Sequence, residues 1–332
     1  MEVEITYTHS SDVWFDDGSL IIEAAGVLYR ISRSVLAERS PIFKDTLSIP
    51  QPTDSETIDG CPVVHLYDSP EDVTPFLRAI FNSGFFMPYP APTEFRILAG
   101  ILRLSHKYEV DYLRRRALVH LSSAYSTQLP DLDATIEGDA VAWIRPSWTE
   151  DRISVHVAAI GLARQVDAPW ILPYAFYRAA TIETSGAVQE ILSSQLPAAQ
   201  GWVTVLSRDD QTSFLKGYFA QSRCTITDIL RFLYHPFMVE GCFSPQVCNL
   251  ARLRALEGLR EELAIPTNPL YTWVEEDWQT VNVCAVCLTS LRVAHRDARQ
   301  AFWDNLPNIY DLPGWEELEQ CKKAAIGDDL FS

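Results

Sequence analysis

In the first third of the chain, apolar and polar positions alternate in two short segments as they do in the strands of a sheet. The run LIIEAAGVLYRI at residues 20–31 is rich in β-formers and contains Gly26, which predicts a hairpin. In the segment CPVVHLYD, Val64 and Leu66 alternate with polar neighbours, as in a half-buried strand that ends at Asp68. This pattern predicts a small β-sheet.

The apolar period then changes to that of α-helices. A serine followed by proline occurs twice as a typical helix start, and behind the second one apolar residues recur at i, i+3, i+4, i+7 and i+8. The run Arg114–Arg116 is interpreted as the solvated face of the last helix in this region. The predicted helices follow Ser40-Pro41, follow Ser69-Pro70, span 93–108 and begin at Asp111.

Periodicity is lost after these helices, where Pro, Asp and Gly accumulate. We therefore place a linker at 129–149, between an α+β domain at 12–128 and a mainly α-helical extension at 150–332. The stretches 102–121 and 160–179 share a helix, an Asp-containing turn and a second helix, which hints at stacked helical hairpins. Later helices are predicted at 188–206, 210–220, 225–235, 245–263 and 288–303, with an extended stretch around 270–283.

Composition limits the classes of partner. The 332 residues are 47% apolar and carry 44 acidic against 27 basic side chains, which gives a formal net charge of −17. Such a charge repels polyanions, so we expect neither nucleic acid nor a membrane surface as a partner. The chain starts without signal-peptide features, and no apolar run reaches the roughly 18 residues of a membrane span. A cytoplasmic or nuclear location is expected.

The seven cysteines are the strongest chemical signal. Their odd number and wide spacing favour reduced thiols over a disulfide framework. Cys284 and Cys287 form a CxxC pair, whose spacing lets two thiolates reach one tetrahedral zinc ion, and Cys242 and Cys248 form a second pair. These four could bind one structural zinc, with His295 able to replace one of them. The other interpretations are unoccupied thiols, a redox-active CxxC and, for the histidine, a solvated helix face.

Other catalytic signatures do not occur in the sequence. Phosphate-binding loops of the GxxxxGK[ST] and GxGxxG types are absent, as are HExxH and GxSxG motifs. His65, His106 and His120 have no nucleophile arranged beside them and are interpreted as hydrogen-bonded surface histidines. We therefore expect no catalytic residues, and a metal or thiol enzyme is an alternative that rests on the four cysteines.

Three segments of the first third occur in a characteristic order. They are DVWFDDGSLIIEAAGVLYRISRSVLAERSPIFKDTLS, VVHLYDSPEDVTPFLRAIFNSGFF and ILRLSHKYEVDYLRRRALVHL. In this order they resemble the BTB/POZ domain over residues 12–123, which implies a short β-sheet wrapped by helices and a protein-interaction function. The opening motif is carried by Leu28, Arg33, Val35, Leu36, Ser40, Pro41 and Phe43.

The chain as a whole resembles a large group of BTB proteins from mushroom-forming fungi. This resemblance is carried by DVWFDDGSLIIEA, RLSHKYEVDYLRRRAL and the late segment FWDNLPNIYDLPGWEEL. Residues 130–332 correspond to the helical extension of that group. The resemblance implies a non-catalytic scaffold or adaptor that associates with itself or with a protein partner. The alternatives that it implies are a cullin-3 ubiquitin-ligase adaptor and a nuclear transcriptional coregulator.

Three features depart from the family pattern. Ser32 stands where a histidine commonly makes a buried polar contact, so that contact is absent or altered. The arm before Asp12 is too short for the segments that exchange in swapped dimers, and Glu56 lies in a polar loop instead of the motif of cullin-3 binders.

Three tryptophans are candidate anchors for a partner, with ordinary core packing as the alternative interpretation. They are Trp14, Trp143 and Trp148.

Overall fold

The computed structural model describes residues 7–50, 56–136, 148, 153–181, 191, 205–235, 238–262 and 268–327. These residues form a small five-stranded mixed sheet and a larger helical part. The predicted fold class is thereby confirmed at the coarse level of an α+β chain with mostly helical content. Within these ranges, none of the helices combines the length and the apolar character needed to cross a membrane.

The sheet contains the predicted hairpin. Its strands are β1 (Thr8–Trp14), β2 (Leu20–Ala24), β3 (Val27–Ile31), β4 (Thr57–Ile58) and β5 (Cys61–Leu66), in the order β1-β3-β2-β5-β4. Antiparallel β2 and β3 are joined by Ala25 and Gly26, which both have positive φ, as the tightest hairpin turns require. Strand β1 runs parallel to β3, and β5 runs parallel to β2.

Five helices belong to the first third of the chain, two between β3 and β4 and three after β5. They are α1 (Arg33–Arg39), α2 (Pro41–Ser48), α3 (Pro70–Phe81), α4 (Phe95–Lys107) and α5 (Asp111–Ser122). The buried Ser40 caps α2 by accepting a hydrogen bond from the Phe43 N–H at 3.1 Å, and it donates to the Tyr108 carbonyl at 2.6 Å. Ser69 stands at the start of α3 without a capping bond, so this start depends on Pro70 and the acidic first turn.

The rest of the described chain is helical. Its helices are α6 (Leu129–Ile136), α7 (Ile153–Gln165), α8 (Leu172–Thr181), α9 (Arg208–Cys224), α10 (Arg231–Tyr234), α11 (Pro245–Glu262), α12 (Glu275–Thr280), α13 (Ala285–Ile309) and α14 (Trp315–Ile326). A 3-10 turn at Pro169–Ile171 precedes α8, and a π turn at Thr225–Ile229 joins α9 to α10. Helix α6 lies inside the predicted linker, and the helix predicted at 188–206 lies almost wholly outside the described residues.

The extended stretch predicted around 270–283 is wrong over its middle. Helix α12 lies there, and its first turn consists of Glu275, Glu276 and Asp277. The Asp277 carboxylate accepts a hydrogen bond from the Val274 N–H at 2.8 Å. Acidic side chains stabilise the positive end of a helix, and they start this one where no apolar period is visible.

The two stretches that echo each other in sequence contain the same turn. Two residues after the end of each helix the backbone is left-handed, at Glu109 with φ 52° after α4 and at Asp167 with φ 54° after α7. In both cases the next residue donates its N–H to the carbonyl five residues before it, at 2.9 Å. This is the left-handed end that many helices adopt, and it sends the chain back into a second helix in each stretch.

Most buried apolar side chains belong to one continuous cluster, the main cluster. It extends from Val13 in β1 to Ile326 in α14 and includes the fully buried Trp170. A smaller group, the second cluster, lies between α10, α11, α12 and the first half of α13. The second cluster consists of Leu230, Phe232, Leu233, Ala255, Trp273, Trp278, Val281 and Leu291.

Helix α14 returns to the first third of the chain and packs against α5 and the 3-10 turn. The arginine run of α5 takes part in the same packing, because each guanidinium donates to a backbone carbonyl from another part of the chain. Arg114, Arg115 and Arg116 donate to the carbonyls of Val166, Ile326 and Phe86, respectively. Arg115 is exposed and Arg114 and Arg116 are half-buried, so the run lies at the surface as predicted, but its guanidinium groups also connect segments that are distant in sequence.

Candidate metal centre

Four cysteines from three separate segments meet beside the second cluster. Cys242 lies in a turn just after Gly241, whose φ of 85° is one that residues with side chains rarely adopt. Cys248 lies in the first turn of α11. Cys284 is the residue that precedes α13, and Cys287 lies in the first turn of that helix. One turn and two helix starts thus present all four thiols.

The sulfur atoms are spaced as the ligands of one metal ion are. The Cys242 and Cys248 sulfurs are 3.8 Å apart, those of Cys242 and Cys284 are 3.9 Å apart, and all four lie within 4.8 Å of one another. A tetrahedron with zinc–sulfur bonds of about 2.3 Å has sulfurs about 3.8 Å apart. All seven cysteines are free thiols. The structure therefore unites the predicted ligands in a group that is compatible with metal binding.

The thiols differ in how readily they ionise. The pKa of Cys284 is lowered to about 7, mainly because its sulfur accepts a hydrogen bond from the Cys287 backbone N–H at the start of α13. The pKa of Cys287 is raised, because its thiol is buried and lies beside the other thiols. Metal binding to such a group releases protons, because thiolates are the ligand form.

A small cavity adjoins the cysteine side chains. It is lined by Val239, Cys242, Pro245, Cys248, Asn249, Arg252, Cys287 and Leu291. Four soft sulfur donors suit zinc and other thiophilic ions much better than magnesium or calcium, which prefer oxygen. The residues present therefore fit a tetrahedral thiophilic metal ion by donor chemistry and by spacing.

His295 lies in the second cluster, outside the sulfur group. It is 4% exposed, and its ring centroid lies 5.5–5.6 Å from those of Phe232, Trp273 and Trp278. Burial, with the nearby charge of Arg299, lowers its pKa to about 4. The interpretations as a replacement ligand and as a solvated helix-face residue are both wrong, because this face of α13 points into an aromatic core.

The three other histidines considered in the sequence analysis have structural contacts. His65 bridges the carboxylates of Glu23 and Glu56 at 2.8 and 2.9 Å, and its pKa is raised mainly by the Glu23 contact. His120 is buried against a backbone carbonyl, and burial lowers its pKa. His106 accepts a hydrogen bond from an arginine of α5. Of these three, only His120 is wrongly interpreted as a surface residue, because it is buried.

The candidate tryptophan anchors that the structure describes take part in packing. Trp14 stacks on His9 with ring centroids 3.9 Å apart. Trp148 packs against Phe95 at 4.9 Å and against Tyr125 at 6.5 Å. Trp143 lies outside the described residues. For Trp14 and Trp148 the alternative interpretation as packed residues fits these contacts.

Exposed apolar side chains lie close to the four cysteines in the sequence. Phe243, Val247 and Val286 each neighbour a cysteine of the group in the chain and are 98%, 66% and 44% exposed. Met238, four residues before Cys242, is 90% exposed. We call these four residues the apolar rim. Sequence reasoning missed it, because apolar residues near helices are ordinarily assigned to a core.

No protein-family model matches the chain, and searches of the curated proteins and of the solved structures find no match either. Similarity therefore assigns neither a family nor an activity. The four-thiol group and the apolar rim are the observations from which function is inferred.

Proposed function

We propose that this chain is a non-catalytic protein-interaction protein whose C-terminal part is stabilised by a structural zinc ion. The observation that carries the proposal is the closed set of four sulfurs within 4.8 Å of one another. Four protein ligands fill a tetrahedral ion, whereas catalytic zinc keeps a position open for water or substrate. Thiolate ligands also favour zinc over the hard divalent cations.

The first third of the chain supports the interaction part of the proposal. The β2–β3 hairpin leads into α1 and α2, and the buried Ser40 connects α2 to the end of α4. These are the segments whose motifs resemble the BTB/POZ domain, and the small sheet with adjoining helices is compatible with that fold. Self-association or partner binding through this part needs no catalytic residue.

The apolar rim offers a second surface for a partner. Its four side chains are exposed, although burying a large apolar side chain is worth about 1.5–3 kcal/mol. Contiguous apolar surface is typical of binding sites, and we expect these four side chains to form one such patch. Because three rim residues adjoin cysteines of the group, zinc binding would fix the shape of this surface.

Elemental analysis of the purified full chain tests the zinc part. We expect one zinc per chain after reconstitution, and almost none in the Cys284→Ser/Cys287→Ser variant, because two ligands are lost. Cys321→Ser is the matched control, since this cysteine lies on α14 outside the group and its loss should leave the zinc content unchanged. A metal-free wild-type chain would contradict the proposal.

Sedimentation velocity and proximity labelling test the interaction part. The zinc-loaded full chain should self-associate as its concentration rises to tens of micromolar, and a monomer throughout would exclude homotypic assembly. In the native cell, Met238→Ser/Phe243→Ser should lose labelled partners that Phe219→Ser keeps, because Phe219 is also exposed but lies on α9, outside the rim and outside the first third of the chain. Recovery of cullin-3 would identify the adaptor alternative.

A further inference from the structure

A buried arginine adjoins the four cysteines. Arg252 lies on α11 one helical turn after Cys248, so both side chains point to the same side of the helix. It is 4% exposed and lines the cavity beside the thiols. Its guanidinium donates to the Phe232 carbonyl at 2.7 Å and to the side chain of Asn249. Arg252 therefore connects the sulfur group to the second cluster.

The negative charge of a four-thiolate centre would require a cation at the position that Arg252 occupies. One divalent ion with four thiolates carries a net charge of −2, and an unbalanced charge is costly next to an apolar interior. Arg252 is the one cationic residue in the lining of the described cavity. A guanidinium stays protonated and tolerates burial better than an ammonium does, so it suits the role of a fixed positive charge.

We propose that the positive charge of Arg252 balances the negative charge of the metal centre and thereby sets the affinity of the four cysteines for divalent ions. This proposal rests on the metal binding proposed above. The buried Arg252 side chain lines the same small cavity as Cys242, Cys248 and Cys287, which places its charge beside the sulfur group. Loss of the charge should leave a dianionic centre beside an apolar cluster.

Competition with a chromophoric zinc chelator measures the expected effect on the full chain. Arg252→Met and Arg252→Gln should weaken zinc binding by about 10- to 100-fold, which is the usual range for a supporting residue around a metal. Arg252→Lys keeps the charge but loses the planar fork, and it should stay within about 3-fold of wild type. Arg254→Met is the matched control, since Arg254 lies on the same helix but is exposed, and it should change affinity less than 2-fold.

The lysine variant separates charge from packing. If Arg252→Lys loses as much affinity as Arg252→Gln, hydrogen-bond geometry and not charge supports the site, and the proposal is overturned. If Arg252→Met fails to fold with saturating zinc, the comparison between lysine and glutamine still decides. A wild-type chain that binds no zinc would instead contradict the proposed function, so the two failures are distinguishable.

The redox potential of the metal centre provides a second readout, which responds directly to the charge beside the centre. In iron-substituted protein, one electron supplied by dithionite through a redox mediator reduces Fe³⁺ to Fe²⁺ and changes the net charge of the centre from −1 to −2. A nearby positive charge favours the reduced form, so Arg252→Gln should lower the midpoint potential, while Arg252→Lys and Arg254→Met should leave it near that of wild type. An unchanged potential in Arg252→Gln would overturn the proposal.

Discussion

Glu109 and Asp167 hold the left-handed backbone that ends α4 and α7. Both side chains are exposed, so their identity matters mainly through the steric cost of a Cβ atom at positive φ. We expect Glu109→Gly to raise the free energy of unfolding by about 1 kcal/mol, because glycine has no such cost. Asp167→Gly should gain less, since aspartate tolerates this conformation better than glutamate. Urea denaturation measures both changes.

A second glutamate provides the control for this prediction. Glu38 is exposed within α1, where the backbone is helical. Glu38→Gly should lower the free energy of unfolding by up to about 1 kcal/mol, because glycine disfavours helix interiors. The same substitution then acts with opposite sign at the two positions. Equal losses at both would show that the turn at Glu109 is not strained.

His65 gives the sheet a dependence on pH. Its pKa is raised in the folded state by Glu23 and Glu56, so the charged bridge stabilises the fold fully below about pH 6.5. This contribution is lost as pH rises through the raised pKa. His65→Gln should therefore destabilise the protein at about pH 5.5 and be nearly neutral at about pH 9, with a difference below about 1 kcal/mol because the bridge is largely exposed. Glu56→Gln should reduce the same pH dependence.

Individual residues of the metal centre differ in how far the sequence reveals them. The four cysteines could be predicted, because thiol spacing carries metal chemistry directly. Arg252 and the buried His295 could not, because their roles depend on which helix faces meet in space. The only local sign was that Arg252 follows Cys248 by one helical turn. Exposure of the apolar rim likewise depends on tertiary packing.

Helix α13 connects the two apolar clusters. Leu291 in its first half belongs to the second cluster, whereas Phe302 and Leu306 in its second half belong to the main cluster. The cysteine group lies at the start of this 25-residue helix. A metal ion there would hold α11 and α13 together at the edge of the smaller cluster, which has fewer buried side chains to stabilise it.

Hydrogen exchange of the full chain tests this division. On zinc removal by a chelator, we expect amides of α10, α11 and the first half of α13 to lose protection by at least about tenfold, because metal binding is coupled to local folding. Amides of α4 and α5 should keep their protection. Uniform loss across all helices would show that the second cluster does not unfold separately.

Helices and strands with strong local patterns could be predicted, and short ones could not. The β2–β3 hairpin, α3 and α4 carry clear periods, and the structure contains all three. The six-residue helix α12 spans fewer than two turns, so it is too short to show a period of 3.6 residues. The surface position of the α5 arginines could be predicted from their charge, but the distant carbonyls that their guanidinium groups bind could not.

The main cluster joins the N-terminal sheet and the last helix in one set of buried side chains. Leu318 of α14 is completely buried in it. We expect Leu318→Ala to lower the free energy of unfolding by about 2–4 kcal/mol through loss of packing. The exposed Leu253→Ala on α11 is the control and should cost no more than about 0.5 kcal/mol. Calorimetry should show the whole main transition shifted, and a separate unshifted transition would indicate that the first third unfolds independently.

Because α14 packs against α5, this contact can form only after both helices have been synthesised. Helix α5 packs mainly against α4, which is made before it, but it leaves the ribosome some 200 residues before α14, which covers another part of its surface. At roughly 5–20 residues per second, that part of the surface waits on the order of 10–40 s for its cover. Newly made chains should therefore leave this part of the α5 surface open for that interval, which gives chaperones a defined period of access.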